Sequence, residues 1–175
     1  MLDAGNIFLV GPMGSGKSAV GRQLAGRLGL EFVDSDEEIE ARTGVDIAYI
    51  FEREGEAGFR VREREVIDLL TRRTGVLVAT GGGAVLDPET RGRLSSRGRV
   101  VYLRTSVAQQ LARTRRSGHR PLLRNPDPKG TLESLMKQRA ALYEEAADLT
   151  VDTDGRRVAT VVDEIERRLA EAGGA

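Results

Sequence analysis

The segment Gly11-Pro12-Met13-Gly14-Ser15-Gly16-Lys17-Ser18 has the residue types and spacing of a Walker A phosphate-binding loop. Its glycines let the backbone curl until successive N–H groups point inward at phosphate oxygens. A following helix adds its positive amino-terminal end. Lys17 can then reach the β- and γ-phosphates of a nucleoside triphosphate, and the Ser18 hydroxyl suits Mg²⁺. Nucleotide contacts are expected from Gly14, Ser15, Gly16, Lys17, Ser18 and Ala19. A dinucleotide fingerprint fits less well, because Ala19 stands where its third glycine would fall. The motif names the nucleotide and leaves the acceptor open.

Many proteins with this loop complete the magnesium shell with an aspartate that ends a later apolar strand. The obvious strand here, Val76 to Ala79, runs into Thr80 and Gly81-Gly82-Gly83 with no carboxylate. Asp34-Ser35-Asp36 is the alternative source. Alternation along extended backbone can send both aspartates to one side. Asp34 is then expected on the magnesium side and Asp36 beside an acceptor hydroxyl. The plainer reading of Asp36-Glu37-Glu38 is an acidic helix start.

Arg60, Arg120 and Arg139 stand out by neighbourhood. Arg60 follows Gly55-Glu56-Ala57-Gly58-Phe59, Arg120 precedes Pro121-Leu122-Leu123, and Arg139 lies among helix formers. A guanidinium is a planar, permanently charged fork suited to carboxylate and phosphate oxygens. A buried hydrogen bond to a charged group contributes about 1.5–3 kcal/mol, so two arginines can hold a small anionic acceptor. In a chain this rich in arginine, each also fits a solvated helix face. The glycine triplet costs backbone entropy, which makes sense where a ligand approaches the main chain; a bare turn is the alternative.

Elements must position these groups. Strands are expected at Asn6 to Val10, Glu31 to Asp34, Val76 to Ala79, Arg99 to Leu103 and Leu149 to Asp152. Helical spacing of apolar residues falls in 17–28, 59–73, 88–97, 107–116, 131–147 and 158–172, with Asp87-Pro88 and Ser106 as helix starts. This alternation predicts an α/β sandwich with a mainly parallel sheet. Residues 36–58 and 114–130 fit badly and are expected to be irregular. Long irregular segments in a compact domain tend to be lids or binding loops.

The 175 residues suit a single domain, and 27 basic against 27 acidic side chains cancel to zero net charge. That balance argues against a general nucleic-acid or membrane binder. The arginine-rich stretch around His119 has no aromatic residue to stack on bases, so an ATP-covering lid is the better account of it. Cysteine is absent, which removes thiolate chemistry and fits a cytoplasmic address. A lone histidine, His119, excludes any two-histidine metal scheme. The opening residues are too short and polar for a signal peptide, and no apolar run reaches the roughly 20 residues of a membrane span.

In this order, the Walker A loop, Asp34-Ser35-Asp36, Gly55-Glu56-x-x-Phe59-Arg60, the glycine triplet, Arg120-Pro121-Leu122-Leu123 and Arg139-x-x-Leu142-Tyr143 resemble the shikimate kinase family across nearly the whole chain. The resemblance implies a three-layer α/β/α sandwich with a five-stranded parallel sheet of order 2-3-1-4-5, like that of nucleoside monophosphate kinases. It implies one domain over 1–175, with an acceptor segment at about 35–62 and a lid at about 113–128. It implies Mg²⁺-dependent transfer of the ATP γ-phosphate to the 3-hydroxyl of shikimate, by a monomer with no nucleic-acid or membrane partner. Asp36, Arg60, Gly82, Gly83 and Arg139 would hold shikimate. Lys17, Asp36 and Arg120 would be catalytic, and Ser18 and Asp34 would serve the metal. Arg113 and Arg120 would contact the nucleotide, with Arg156 or Arg157 bordering the adenine. Gluconate kinase is the nearest rival. A GTPase-like switch is weakened by the lack of an Asn-Lys-x-Asp motif after the later strands.

Overall fold

A computed structural model describes residues 5–117 and 126–173. Strands β1 (Ile7–Val10), β2 (Glu31–Asp34), β3 (Val76–Ala79), β4 (Arg99–Arg104) and β5 (Leu149–Asp152) form one sheet in the order β2-β3-β1-β4-β5. Every pairing is parallel. Between them run α1 (Lys17–Leu28), α2 (Ser35–Thr43), α3 (Ile47–Thr71), α4 (Pro88–Arg97), α5 (Val107–Ser117), α6 (Pro128–Ala146) and α7 (Val158–Gly173). The expected sandwich and strand order are observed.

The sheet divides the interior in two. Side chains alternate along β1, so Phe8 and Val10 join a cluster with Val66, Ile67, Leu94 and Tyr143. Ile7 and Leu9 join the opposite cluster with Val20, Leu24, Val161 and Ile165. Burial on both faces explains why the central strands read as unbroken apolar runs. β1 is the central strand and β3 lies beside it, and the loops after their carboxyl ends carry the Walker A segment and the glycine triplet. In parallel α/β sheets ligands bind at that end.

The expectation of irregular backbone over 36–58 is overturned. This stretch is helical through α2 and the first part of α3, with a break only around 44–46. The carboxylate of Asp34 caps α2 by accepting from the N–H groups of Asp36 and Glu37, and Gly44 ends that helix in the left-handed region. Asp46 caps α3. Dense charge masks the helical period here, because only Ile39 and Ile50 of this stretch are buried. Gly55, at φ 72° and ψ −180°, breaks α3 into two arms, a conformation that a Cβ would strain. The segment 114–130 is helical at both described ends, to Ser117 and from Pro128; residues 118–125 lie outside the described residues. Among the described residues, no helix is long and apolar enough to cross a membrane.

Candidate active site

The Walker A loop joins β1 to α1. Its Gly14 and Gly16 have φ of 77° and 88°. Helices α2, α3, α4 and α6 each begin on an aspartate whose side chain accepts from a first-turn N–H. At α1, Gly16 occupies the cap with no side-chain hydrogen bond, and no acid stands in the first turn. Its positive end is therefore left to an anion. Lys17 curls back over the loop: Nζ donates to the carbonyls of Gly11 at 2.6 Å and Pro12 at 2.9 Å. Arg113 of α5 donates to the Gly14 carbonyl at 2.7 Å and to Thr153 at 3.4 Å, tying the start of the expected lid to the loop.

Asp34 has two jobs. Its Oδ1 caps α2, and its Oδ2 accepts from the Ser18 hydroxyl at 2.9 Å. A hydroxyl and a carboxylate oxygen therefore lie side by side at the mouth of the phosphate loop, the hard-oxygen pair that Mg²⁺ takes from a protein when phosphates and water complete its shell. The residues fit the ion. Asp36 is set apart from Asp34 by the first turn of α2, and strand alternation plays no part, contrary to expectation.

Across the pocket lies a cluster of charge. Arg60 donates to Glu63 at 2.7 Å, and Glu63 is 3% exposed. A Cβ on Gly81 would lie 2.8 Å from an oxygen of Asp36 and 2.8 Å from one of Glu63. A Cβ on Gly83 would run into the Arg60 guanidinium, and one on Gly82 would lie 3.6 Å from that of Arg139. The triplet is thus glycine at its two ends because the protein's own charged side chains press against the main chain. Burial, reinforced by the charges of Glu63 and Asp34 and opposed by Lys17 and Arg60, pushes Asp36 up to about 7. Burial also raises Glu63, with Arg60 pulling against it. A carboxyl poised near neutrality suits proton transfer.

The shikimate kinase family model matches residues 13–170. The chain belongs to the shikimate kinase family. A shikimate kinase of Halorhodospira halophila is 60% identical over 166 residues, 95% of this chain and 92% of that one. The shikimate kinase of Aliivibrio salmonicida is 54% identical over 98% of this chain and 99% of its own. Among solved structures, shikimate kinase from Acinetobacter baumannii in complex with shikimate superposes with a TM-score of 0.92 at 48% identity, covering 95% of this chain and 93% of that one.

Within this shikimate kinase fold, Asp36, Arg60 and Arg139 gather around the glycine triplet with Gly82 and Gly83, and the charge of Lys17 reaches Asp36, while Ser18 and Asp34 are bonded at the mouth of the phosphate loop. Arg156 is brought near the nucleotide loop through Thr153, but its guanidinium is engaged by the Asp152 carbonyl at 2.8 Å and Glu164 at 2.6 Å. Arg120 lies outside the described residues. Sequence reasoning missed Glu63. The available signal was a lone acid three residues after Arg60, on the helical face of the apolar Phe59, Val66, Ile67 and Leu70.

Proposed function

We infer that the protein phosphorylates the 3-hydroxyl of shikimate with the γ-phosphate of ATP, giving shikimate 3-phosphate and ADP. The observation that carries this reading is the pairing of a Walker A loop with a cluster in which two guanidinium groups and a buried aspartate gather around the glycine triplet. The complex of the Acinetobacter baumannii relative with shikimate supports the choice of acceptor. On this reading the chain is one domain, with an acceptor segment at about 35–62 and a lid at about 113–128.

Arg60 and Arg139 would clamp the acceptor carboxylate, with Gly82 and Gly83 offering main-chain contacts. Asp36 would orient the hydroxyl and take its proton as the acceptor oxygen forms its bond to the γ-phosphorus. The bond to the bridging oxygen breaks, and ADP leaves with the electron pair. Lys17 would leave its loop carbonyls for the phosphates, where its charge matters as negative charge shifts toward the leaving group. Arg120, placed in this role by its motif, would add a second cation. Gly14 to Ala19, with Arg113 and Arg156, would hold the nucleotide. Ser18 and Asp34 would hold Mg²⁺, which when bound would supply charge neutralisation to the phosphates. A cytoplasmic monomer without nucleic-acid or membrane partners accords with balanced charge and absent cysteine.

The test is ADP release coupled to a spectroscopic readout over shikimate, gluconate, quinate and nucleoside monophosphates, with and without a chelator. Turnover with shikimate alone, lost on chelation, is expected. Preference for another acceptor would reject the reading.

A further inference from the structure

The hydroxyl of Tyr143 has no part in the reaction described above, yet it touches the place where the two halves of the site meet. The Tyr143 ring is 1% exposed and stacks on Tyr102 of β4, with centroids 5.0 Å apart and planes at 25°. Its O–H donates to the carbonyl of Gly82 at 2.6 Å, across 61 residues of sequence. Gly82 lies at a junction, with ordinary van der Waals room around it. A Cβ there would lie 3.5 Å from the backbone nitrogen of Met13 in the phosphate loop and 3.6 Å from the Arg139 guanidinium. Arg139 stands four residues before Tyr143, on the same side of α6. Burial pushes the phenol up to about 12 despite the opposing charge of Arg139 and a hydrogen bond from its guanidinium, so the hydroxyl keeps its donor proton while meeting Arg139 directly.

We propose that Tyr143 is a positioning residue, whose hydroxyl fixes the Gly82 main chain and the adjoining turn of α6 at a set distance from the phosphate loop. That bond holds Arg139 where the acceptor must be gripped for in-line transfer. The inference rests on the shikimate reading. Packing and positioning separate cleanly in this side chain, because the ring serves the core and only the oxygen reaches Gly82.

Tyr143→Phe keeps the ring and removes the oxygen. Once the wild-type protein is seen to phosphorylate shikimate, the variant is expected to raise KM for shikimate about three- to tenfold, the worth of one hydrogen bond. KM for ATP should stay within about twofold. Arg139→Lys should add less in the Tyr143→Phe background than in the wild type, as expected for two groups that act together. An unchanged acceptor KM, or equal rises for both substrates, would overturn the proposal while leaving the function standing. A wild-type protein inactive on shikimate would remove both. Should Tyr143→Phe not fold, 3-fluorotyrosine at position 143 preserves shape and hydroxyl. Its fluorine resonance should move on saturation with shikimate, and a stationary resonance would refute the role.

Discussion

The phosphate half and the acceptor half of the site differ in how they satisfy their own polar groups. Lys17 bonds to its own loop, Ser18 to Asp34, and Arg113 to Gly14. In the acceptor half, Asp36 Oδ1, Arg60 Nε, Glu63 Oε2 and Arg139 Nε are buried without a hydrogen-bond partner among the described residues. An unsatisfied buried polar atom costs about 1–3 kcal/mol. Packing around the glycine triplet therefore holds the acceptor half in an arrangement that the isolated side chains would not choose. The phosphate half meets its own polar needs through the loop together with Asp34 and Arg113 beside it. The acceptor half keeps buried polar atoms available to a ligand.

The largest expected effect tests that cost directly. Asp36→Asn should lower turnover about 10²–10⁴-fold, as for loss of a general base, with ATP binding nearly intact. It should also stabilise the ligand-free protein. The folded state holds the Asp36 proton between its ordinary value near 3.8 and about 7, so stability falls as pH rises across that window. At pH 8 the variant should gain on the order of 2–4 kcal/mol in denaturant titration, and at pH 4 almost nothing. An equal gain at both pH values would break the contrast between the halves.

Lys17→Ala should cost turnover about 10²–10³-fold through lost charge stabilisation. It should bring no pH-dependent gain in stability, because the lysine is already satisfied by its loop carbonyls. A stabilised Lys17→Ala protein would show that the phosphate half is under similar duress. Arg60→Ala and Arg139→Ala should each raise acceptor KM about 10–100-fold and leave KM for ATP within about twofold. Equal losses on both substrates would mean that the arginines serve the nucleotide. The smallest effect is on packing: Gly81→Ala should destabilise by about 1–3 kcal/mol, since its Cβ must displace Asp36 or Glu63. A neutral result would show those carboxylates to be freer than their burial indicates.

Legibility followed the same division. The five strands and most helices were readable because buried parallel strands are short apolar runs and the helices carry apolar stripes. Residues 36–58 were misread as irregular, since charged α2 and the first arm of α3 bury little, and the α2 cap Asp34 was read for the metal. Arg60 and Arg139 were found through their motifs. The Tyr143 hydroxyl was not, because its partner is set by backbone approach and not by spacing along the chain. Glu63 was missed although its partner Arg60 lies only three residues before it.

By itself the sequence determined the nucleotide loop, the strand order through its family pattern, and the residue types able to grip an anion. The loop and the residue types depend on neighbours a few positions apart, where steric freedom, charge and period act locally; the strand order came only through the resemblance. Tertiary structure alone decided that Gly81 would press two carboxylates together, that Gly83 would admit a guanidinium, and that a phenol from α6 would reach the carbonyl after β3. Contacts across dozens of residues are fixed by how layers pack, and the energetic cost of an unpaired buried charge exists only once the layers have closed over it.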